Sequence, residues 1–294
     1  SLGFLCDYFP DLDLDTFLKI LPSYHGIIIR SRFKITKEIM DVASSLKFIA
    51  RVGSGLESID VDYAHKKGIA CLNSPEGNRD AVGEQAIGML LALLNNLARA
   101  DRQVRQGIWI REGNRGTEIK GKTIGIIGYG NMGSSFAKKL KGFEARIIAY
   151  DKYKSGFGNE YVEEVSLEEI FAHAQILSLH VPLTEETHYM INEDFISKFS
   201  YPFVLINTSR GKVVQTEALV EALENGKILG AALDVLEYES ISFEKIEKSH
   251  TPDPLRYLLK SDQVILSPHI AGWTFESHIK LSKVLVEKIK QIDW

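Results

Sequence analysis

Thr123-Ile124-Gly125-Ile126-Ile127-Gly128-Tyr129-Gly130-Asn131-Met132-Gly133 is the stretch on which the reading of this chain turns. Its first five residues are apolar and mostly β-branched, as in a buried strand. They feed a Gly128-x-Gly130-x-x-Gly133 turn, and helical spacing follows from Ser134 to Leu140. A second apolar run, Ala145 to Tyr150, ends in Asp151, about 20 residues past the third glycine. A glycine triplet alone is weak evidence. Strand, glycines, helix, strand and acid in that order specify a dinucleotide-binding unit. Gly128 permits the tight turn, Gly130 lets backbone approach a pyrophosphate, and Gly133 lets the helix lie close to the strand. The pyrophosphate is expected on the unpaired N–H groups at the helix start, where the helix dipole favours negative charge. A carboxylate at Asp151 accepts from a ribose 2′-hydroxyl and repels a 2′-phosphate, so NAD is expected in preference to NADP.

Working outward, the segment from Gly3 to about Asn73 alternates apolar runs with helical patterns. Strands are expected at Phe4–Tyr8, Gly26–Arg30, Phe48–Val52 and Ile69–Leu72, with helices over Leu14–Leu21, Thr36–Ser45 and Val61–Lys67. This alternation implies a parallel sheet. A long helix is expected from Asp80 to Gln106, capped by Asn78 or Asp80. It is apolar on most sides around Ile87–Leu94. A connector packed on both lobes or on a second subunit would explain that, and so would an ordinary core helix. Beyond the glycine turn, strands are expected at Ile176–Val181, Phe203–Asn207, Ile228–Leu233 and Val264–Ser267. Helices are expected at Leu167–Ala172, Asn192–Ser197 and Thr216–Glu224, the last stopped by Gly226. Glu239 to Leu255, with Pro252 and Pro254, reads as an irregular surface segment. Thr274 to Trp294 reads as an amphipathic helix returning to the first lobe. The expected organisation is a discontinuous substrate domain, residues 1–95 plus 271–294, and a dinucleotide-binding domain, residues 96–270.

Bulk properties exclude several classes. The 294 residues suit about two domains, and 45% hydrophobic with 25% charged residues is ordinary for a globular protein. A formal charge of −4 argues against a general nucleic-acid surface. Cys6 and Cys71 make no disulfide framework and sit in no metal-ligand spacing, so no metal is expected. The longest apolar stretch, Ala86 to Leu94, is too short to span a bilayer. No signal peptide is visible, and a cytoplasmic location with no membrane partner is expected.

Ligands of open α/β sheets bind beyond the carboxyl ends of the strands, so the residues just after each strand matter most. Arg210 follows Phe203–Asn207. Asp234 and then Glu239 follow Ile228–Leu233, and His269 follows Val264–Ser267. That set suits hydride transfer between an alcohol and a carbonyl. Histidine titrates near neutrality and can take up or return the hydroxyl proton. A carboxylate beside it stabilises the imidazolium, and arginine grips a substrate carboxylate through a fork of hydrogen bonds. Taken singly, a histidine or an Arg-Gly pair after a strand is more often structural, and Glu237 and Glu239 could both be solvated acids. Their placement at successive strand ends favours the joint reading.

With these residues in view, the chain resembles the D-isomer-specific 2-hydroxyacid dehydrogenases over nearly all its length. The resemblance rests on Gly125 to Gly133, Leu179-His180-Val181-Pro182-Leu183-Thr184, Ile206 to Gly211, Gly230 to Val235 and Leu266 to Gly272. It implies an α/β fold of two Rossmann-like or flavodoxin-like lobes with parallel sheets, the active site lying in the interdomain cleft. It places the catalytic arginine, glutamate and histidine on Arg210, Glu239 and His269, choosing Glu239 over Glu237 by its distance from Asp234. Cofactor contacts fall on Gly128, Gly130, Asn131, Met132, Gly133, Asp151, His180, Val181, Pro182, Thr208, Asp234 and Gly272. A homodimer through the long helix is implied as well. The loop Arg51-Val52-Gly53-Ser54-Gly55 resembles the family's substrate-carboxylate loop, where glycines form an anion nest.

Three departures stand out. Glu57-Ser58 replaces the usual Asp-Asn pair, and Ser240 stands where a proline is common. No match is found for the strand and helix that usually precede the segment matching Gly3–Tyr8, so either a longer natural protein or a lobe without that edge strand is expected. For the substrate, Arg30-Ser31-Arg32, Arg51 and Arg111 resemble a phosphate-reading set, so 3-phosphoglycerate and phosphohydroxypyruvate are the first expectation. Reduction of glyoxylate or hydroxypyruvate is the second, and a non-enzymatic NAD-sensing corepressor is a reading of a different class. Formate oxidation is disfavoured because that branch carries glutamine at the position of Glu239.

Overall fold

Strand and helix alternate along the chain, and the paired strands of both sheets run parallel. The computed structural model describes residues 3–239 and 251–292. The Ser240 departure, most of the segment expected to be irregular after Glu239, and the last residues of the helix expected to reach Trp294 lie outside the described residues. Contacts divide the chain into two units, Ser1–Asn78 with Thr274–Trp294, and Arg79–Trp273.

In the smaller unit, α1 (Leu14–Ile20), β1 (Gly26–Ile29), α2 (Lys37–Val42), β2 (Phe48–Arg51), α3 (Val61–Lys66) and β3 (Ala70–Leu72) follow one another. The sheet order is β1-β2-β3. Its central strand β2 is buried at every position because both of its faces are covered. One face packs with Leu21, Ile39 and Met40. The other packs with Leu285 and Ile289 of α11 (Phe275–Ile289), which Thr274 caps in the expected place. Phe4–Tyr8 is not a strand. It joins no ladder, and Leu5 and Tyr8 are exposed. An apolar run becomes a strand only when another strand is present to pair its backbone.

The long helical pattern is two helices. α4 (Pro75–Leu94) begins earlier than expected, with Pro75 in its first turn, so Asn78 and Asp80 are interior rather than caps. Asn96 then takes a left-handed φ of 53°, and α5 (Leu97–Arg105) departs at 61°. No single helix among the described residues is long and apolar enough to cross a membrane. Ala86, Met89, Leu90 and Leu93 of α4 bury against the sheet of the larger unit. Most of the helix therefore belongs there, and the boundary falls at 78 rather than 95.

The larger unit holds β4 (Thr123–Ile127), α6 (Asn131–Leu140), β5 (Arg146–Tyr150), a two-residue edge strand β6 (Glu163–Glu164), α7 (Leu167–His173) and β7 (Ile176–Leu179). It continues with α8 (Glu193–Ser197), β8 (Phe203–Asn207), α9 (Thr216–Glu224), β9 (Ile228–Leu233), α10 (Asp253–Lys260) and β10 (Val264–Leu266). The seven strands lie in the order β10-β9-β8-β7-β4-β5-β6. The chain runs outward from β4 to β6 and returns at β7 on the other side of β4. That reversal opens a crevice at the carboxyl ends of β4 and β7. Two buried apolar clusters fill the layers on the two faces. α10 begins inside the stretch expected to be irregular. Pro252 and Pro254 sit at its entrance, where a missing N–H costs no helical bond, and Leu255 and Leu258 are buried.

Candidate active site

At the crevice, Gly128 closes the turn at φ +91°, and a side chain there would strike the His180 carbonyl and Val181. A side chain on Gly133 would overlap the Gly128 carbonyl, so only glycine lets α6 start this close to β4. A Cβ on Gly130 would meet no atom of the chain. The backbone there borders open space at the start of α6, whose first residues are Asn131 and Met132. Their N–H groups are among those a helix start leaves unpaired. One strand over, Asp151 Oδ2 accepts from Tyr129 N at 2.7 Å, and Oδ1 accepts from Tyr153 N and Lys154 N at 2.9 and 3.1 Å. The acid thus fastens its own loop to the glycine turn. Past β8, the Thr208 hydroxyl is buried with no hydrogen-bond partner among the described residues. Open space above glycine, an orphaned hydroxyl and a strand-end acid together fit a dinucleotide.

Three turns at the other end of the same edge carry the expected reactive residues. His269 Nδ1 lies 2.7 Å from Glu239 Oε2, with side-chain exposures of 22% and 15%, so little water separates or screens the pair. His269 holds a left-handed φ of +55°, uncommon for any residue but glycine. Asp234, almost fully buried, braces that conformation. Its carboxylate accepts from Ile270 N at 2.9 Å, Ala271 N at 2.8 Å and the Ser267 hydroxyl, and its carbonyl accepts from His269 N at 2.8 Å. Asp234 was expected among the cofactor contacts. Its carboxylate is directed instead at the histidine turn, which Gly272 also occupies. Glu239 Oε1 accepts from Leu236 N, folding the acid back over its own turn.

Arg210 follows β8 in a turn pinned by Asn207. The Asn207 amide donates to the Arg210 carbonyl at 3.0 Å, and Asn207 Oδ1 accepts from Ser209 N and Oγ. A side chain on Gly211 would overlap the Leu236 carbonyl, so the Arg210 and Glu239 turns touch through backbone. Arg210, Glu239 and His269 therefore sit on three interlocked turns at the ends of adjacent strands β8, β9 and β10.

Other expected site residues fall elsewhere. His180 turns inward from β7. Its Nε2 lies 2.9 Å from Ser178 Oγ, its ring packs 5.4 Å from Phe136, and burial pushes its imidazole down to about 3. The ring is neutral, and the His180 carbonyl and the Val181 side chain border the Gly128 turn. Arg51 was expected to read a substrate phosphate. It is buried, and its guanidinium donates to the Gly55 carbonyl at 2.8 Å, closing the loop it begins. In that loop Asn73 donates to the Ser54 carbonyl, Ser74 N donates to Gly53 O at 2.9 Å, and Ser54 Oγ bonds Asn78 Oδ1 at 2.6 Å. The carbonyls of Gly53, Ser54 and Gly55 are thereby occupied, which leaves the loop beyond Val52 a donor surface suited to an anion. Arg30 and Arg111 are exposed. Arg32 is engaged with the Pro10 carbonyl and with Asp11 at 3.9 Å. Among the described residues, no group of three or more His, Cys, Asp or Glu is placed to hold a metal.

Comparison with known proteins points to one family. Residues 87–271 match the model of the D-isomer specific 2-hydroxyacid dehydrogenase, NAD binding domain. The chain is 39% identical over 278 residues to a hydroxypyruvate reductase of Thermotoga maritima, covering 95% of this chain and 88% of that protein. It is 35% identical over 274 residues to a D-3-phosphoglycerate dehydrogenase of Archaeoglobus fulgidus, 92% of this chain but only 50% of that one. Among solved structures, D-lactate dehydrogenase from Aquifex aeolicus, complexed with NAD and lactic acid, superposes with a TM-score of 0.82 at 34% identity. That match covers 93% of this chain and 84% of that one.

Proposed function

This chain belongs to the D-isomer-specific 2-hydroxyacid dehydrogenases, and from that premise we propose that it reduces a small unphosphorylated 2-oxo acid of the hydroxypyruvate class with NADH. The family makes it an NAD-dependent dehydrogenase. The observation that carries the assignment of roles is the shielded His269–Glu239 pair, seated one turn from Arg210. NAD, when bound, supplies or accepts the hydride. Glu239 holds Nδ1 of His269, so Nε2 is the nitrogen turned to the substrate oxygen. In reduction, the imidazolium donates its Nε2 proton as the carbonyl oxygen gains charge, and in oxidation the neutral ring takes the hydroxyl proton back. Arg210 grips the substrate carboxylate and polarises the carbonyl. Gly128, Gly130, Gly133, Asn131, Met132, Asp151 and Thr208 hold the dinucleotide.

The unphosphorylated substrate is favoured because Arg32 and Arg51 are engaged within the fold, and because the reductase is matched along most of its length. Phosphohydroxypyruvate remains the second reading, resting on exposed Arg30 and Arg111 and on the phosphoglycerate dehydrogenase match. NADH oxidation with hydroxypyruvate, glyoxylate, phosphohydroxypyruvate and pyruvate decides between them. Hydroxypyruvate is expected to show the highest kcat/KM, and His269→Ala to lower kcat by about 10²–10⁴ with NADH affinity kept. Preference for the phosphorylated acid reverses the substrate assignment, and activity surviving the His269 change removes its role.

We also infer a homodimer. Leu97, Val104, Trp109 and Ile110, on α5 and just beyond it, expose large apolar side chains, Trp109 to 77%. Sedimentation is expected to give twice the 33.0 kDa chain mass, and a monomer at micromolar concentration overturns this. A cytoplasmic setting is in keeping with the unpaired thiols of Cys6 and Cys71.

A further inference from the structure

Glu237 stands two residues before Glu239 and takes no part in the chemistry above, yet its carboxylate is the most heavily engaged group on that turn. Oε1 accepts from the Tyr189 hydroxyl. Oε2 accepts from Thr216 N at 3.0 Å and from Thr216 Oγ1 at 2.7 Å. Thr216 opens α9, so the acid also meets the positive end of a helix. Tyr189 is itself fixed. It lies on left-handed backbone at φ +50°, and its N–H donates to the Lys212 carbonyl at 2.8 Å, beside the Arg210 turn. The carboxylate pushes the Tyr189 phenol up to about 12, which keeps it a donor at any working pH.

We propose that Glu237 is a positioning residue, clamping the Leu236–Glu239 turn through Tyr189 and Thr216 so that Glu239 meets His269. The inference rests on the acid/base reading of His269 and Glu239. Three donors converge on two oxygens, and each bond is charge-assisted. Glutamine keeps the shape but removes the charge from all three bonds, and its amide nitrogen has to turn the Tyr189 hydroxyl from donor to acceptor. The contact of Gly211 with the Leu236 carbonyl makes the same turn the shared wall of the Arg210 loop.

The test measures kcat, KM and NADH affinity for Glu237→Gln and Tyr189→Phe, each alone and combined with Glu239→Gln. Alone, Glu237→Gln is expected to lower kcat about tenfold, and Tyr189→Phe about threefold, with KM and NADH affinity within about twofold. In the Glu239→Gln background neither is expected to change kcat by more than about twofold, since a clamp has nothing left to position. Equal losses in both backgrounds would show a merely structural role and overturn the proposal. So would unchanged kcat in the single variants. Should Glu237→Gln fail to fold, Tyr189→Phe, which keeps its ring, decides the matter alone. Absence of turnover in the wild-type chain, by contrast, removes the dehydrogenase reading and this inference with it.

Discussion

At Asp151 a single carboxylate shapes the fold and is proposed to select the cofactor as well. Its bonds to Tyr129, Tyr153 and Lys154 shape the loop, while its charge opposes a 2′-phosphate. Asp151→Ala should therefore weaken both cofactors through the loop but NADH more, narrowing the NADH-over-NADPH ratio of kcat/KM by about tenfold. An unchanged ratio takes Asp151 out of the ribose site. The position of Asp151, Arg210 and His269 after strands was legible from the residues, and strand ends are where ligands bind in this class of fold. Side-chain direction was not legible. Spacing cannot show that Arg51 curls onto Gly55, that His180 turns to Ser178, or that Asp234 serves the histidine turn. Nor could it separate Glu237 from Glu239. Only the family resemblance made that choice, and the reason Glu237 is an acid at all emerges from its partners across the fold.

Elements were legible wherever the hydrophobic period was unambiguous, as in β4, β5 and β7 to β10, and failed where backbone geometry rather than side-chain pattern decided. Apolar spacing runs on through Asn95 and Asn96, yet Asn96 breaks the helix because asparagine tolerates the left-handed region. Its amide also donates to the Arg115 carbonyl at 3.1 Å. Asn96→Val should cost about 1–2 kcal/mol, because a β-branched residue is strained at positive φ. Asn96→Gly should stay within about 1 kcal/mol of the parent, relieving φ while losing one bond. Thermal melts of the three proteins check this, and equal midpoints contradict it. α10 was missed because two prolines read as a loop, although proline is as much at home in a first helical turn. Phe4–Tyr8 misled in the opposite sense, since its composition suited a strand that nothing paired.

For the molecule as a whole, pH acts on stability through His180. Folded, its imidazole is pushed by burial to about 3, against an ordinary value of 6.5. Above about 6.5 neither folded nor unfolded chain binds that proton, and stability is complete. As pH falls further the unfolded chain takes up the proton first, so stability drops until the folded midpoint is reached. His180→Gln should flatten the fall in melting temperature between about pH 6.5 and 4. A slope identical to the parent's would show that other groups govern acid unfolding. Strand and helix alternate on both sides of α4, but which sheet claims that helix depends on packing, which spacing does not show. The return of α11 to the smaller unit has a further consequence during synthesis. Phe48 and Ala50 leave the ribosome early, but Leu285 and Ile289, which cover them, emerge only after all of Arg79–Trp273. The larger unit, contiguous in the chain, can complete itself first, and the smaller unit, begun before it, closes only afterwards.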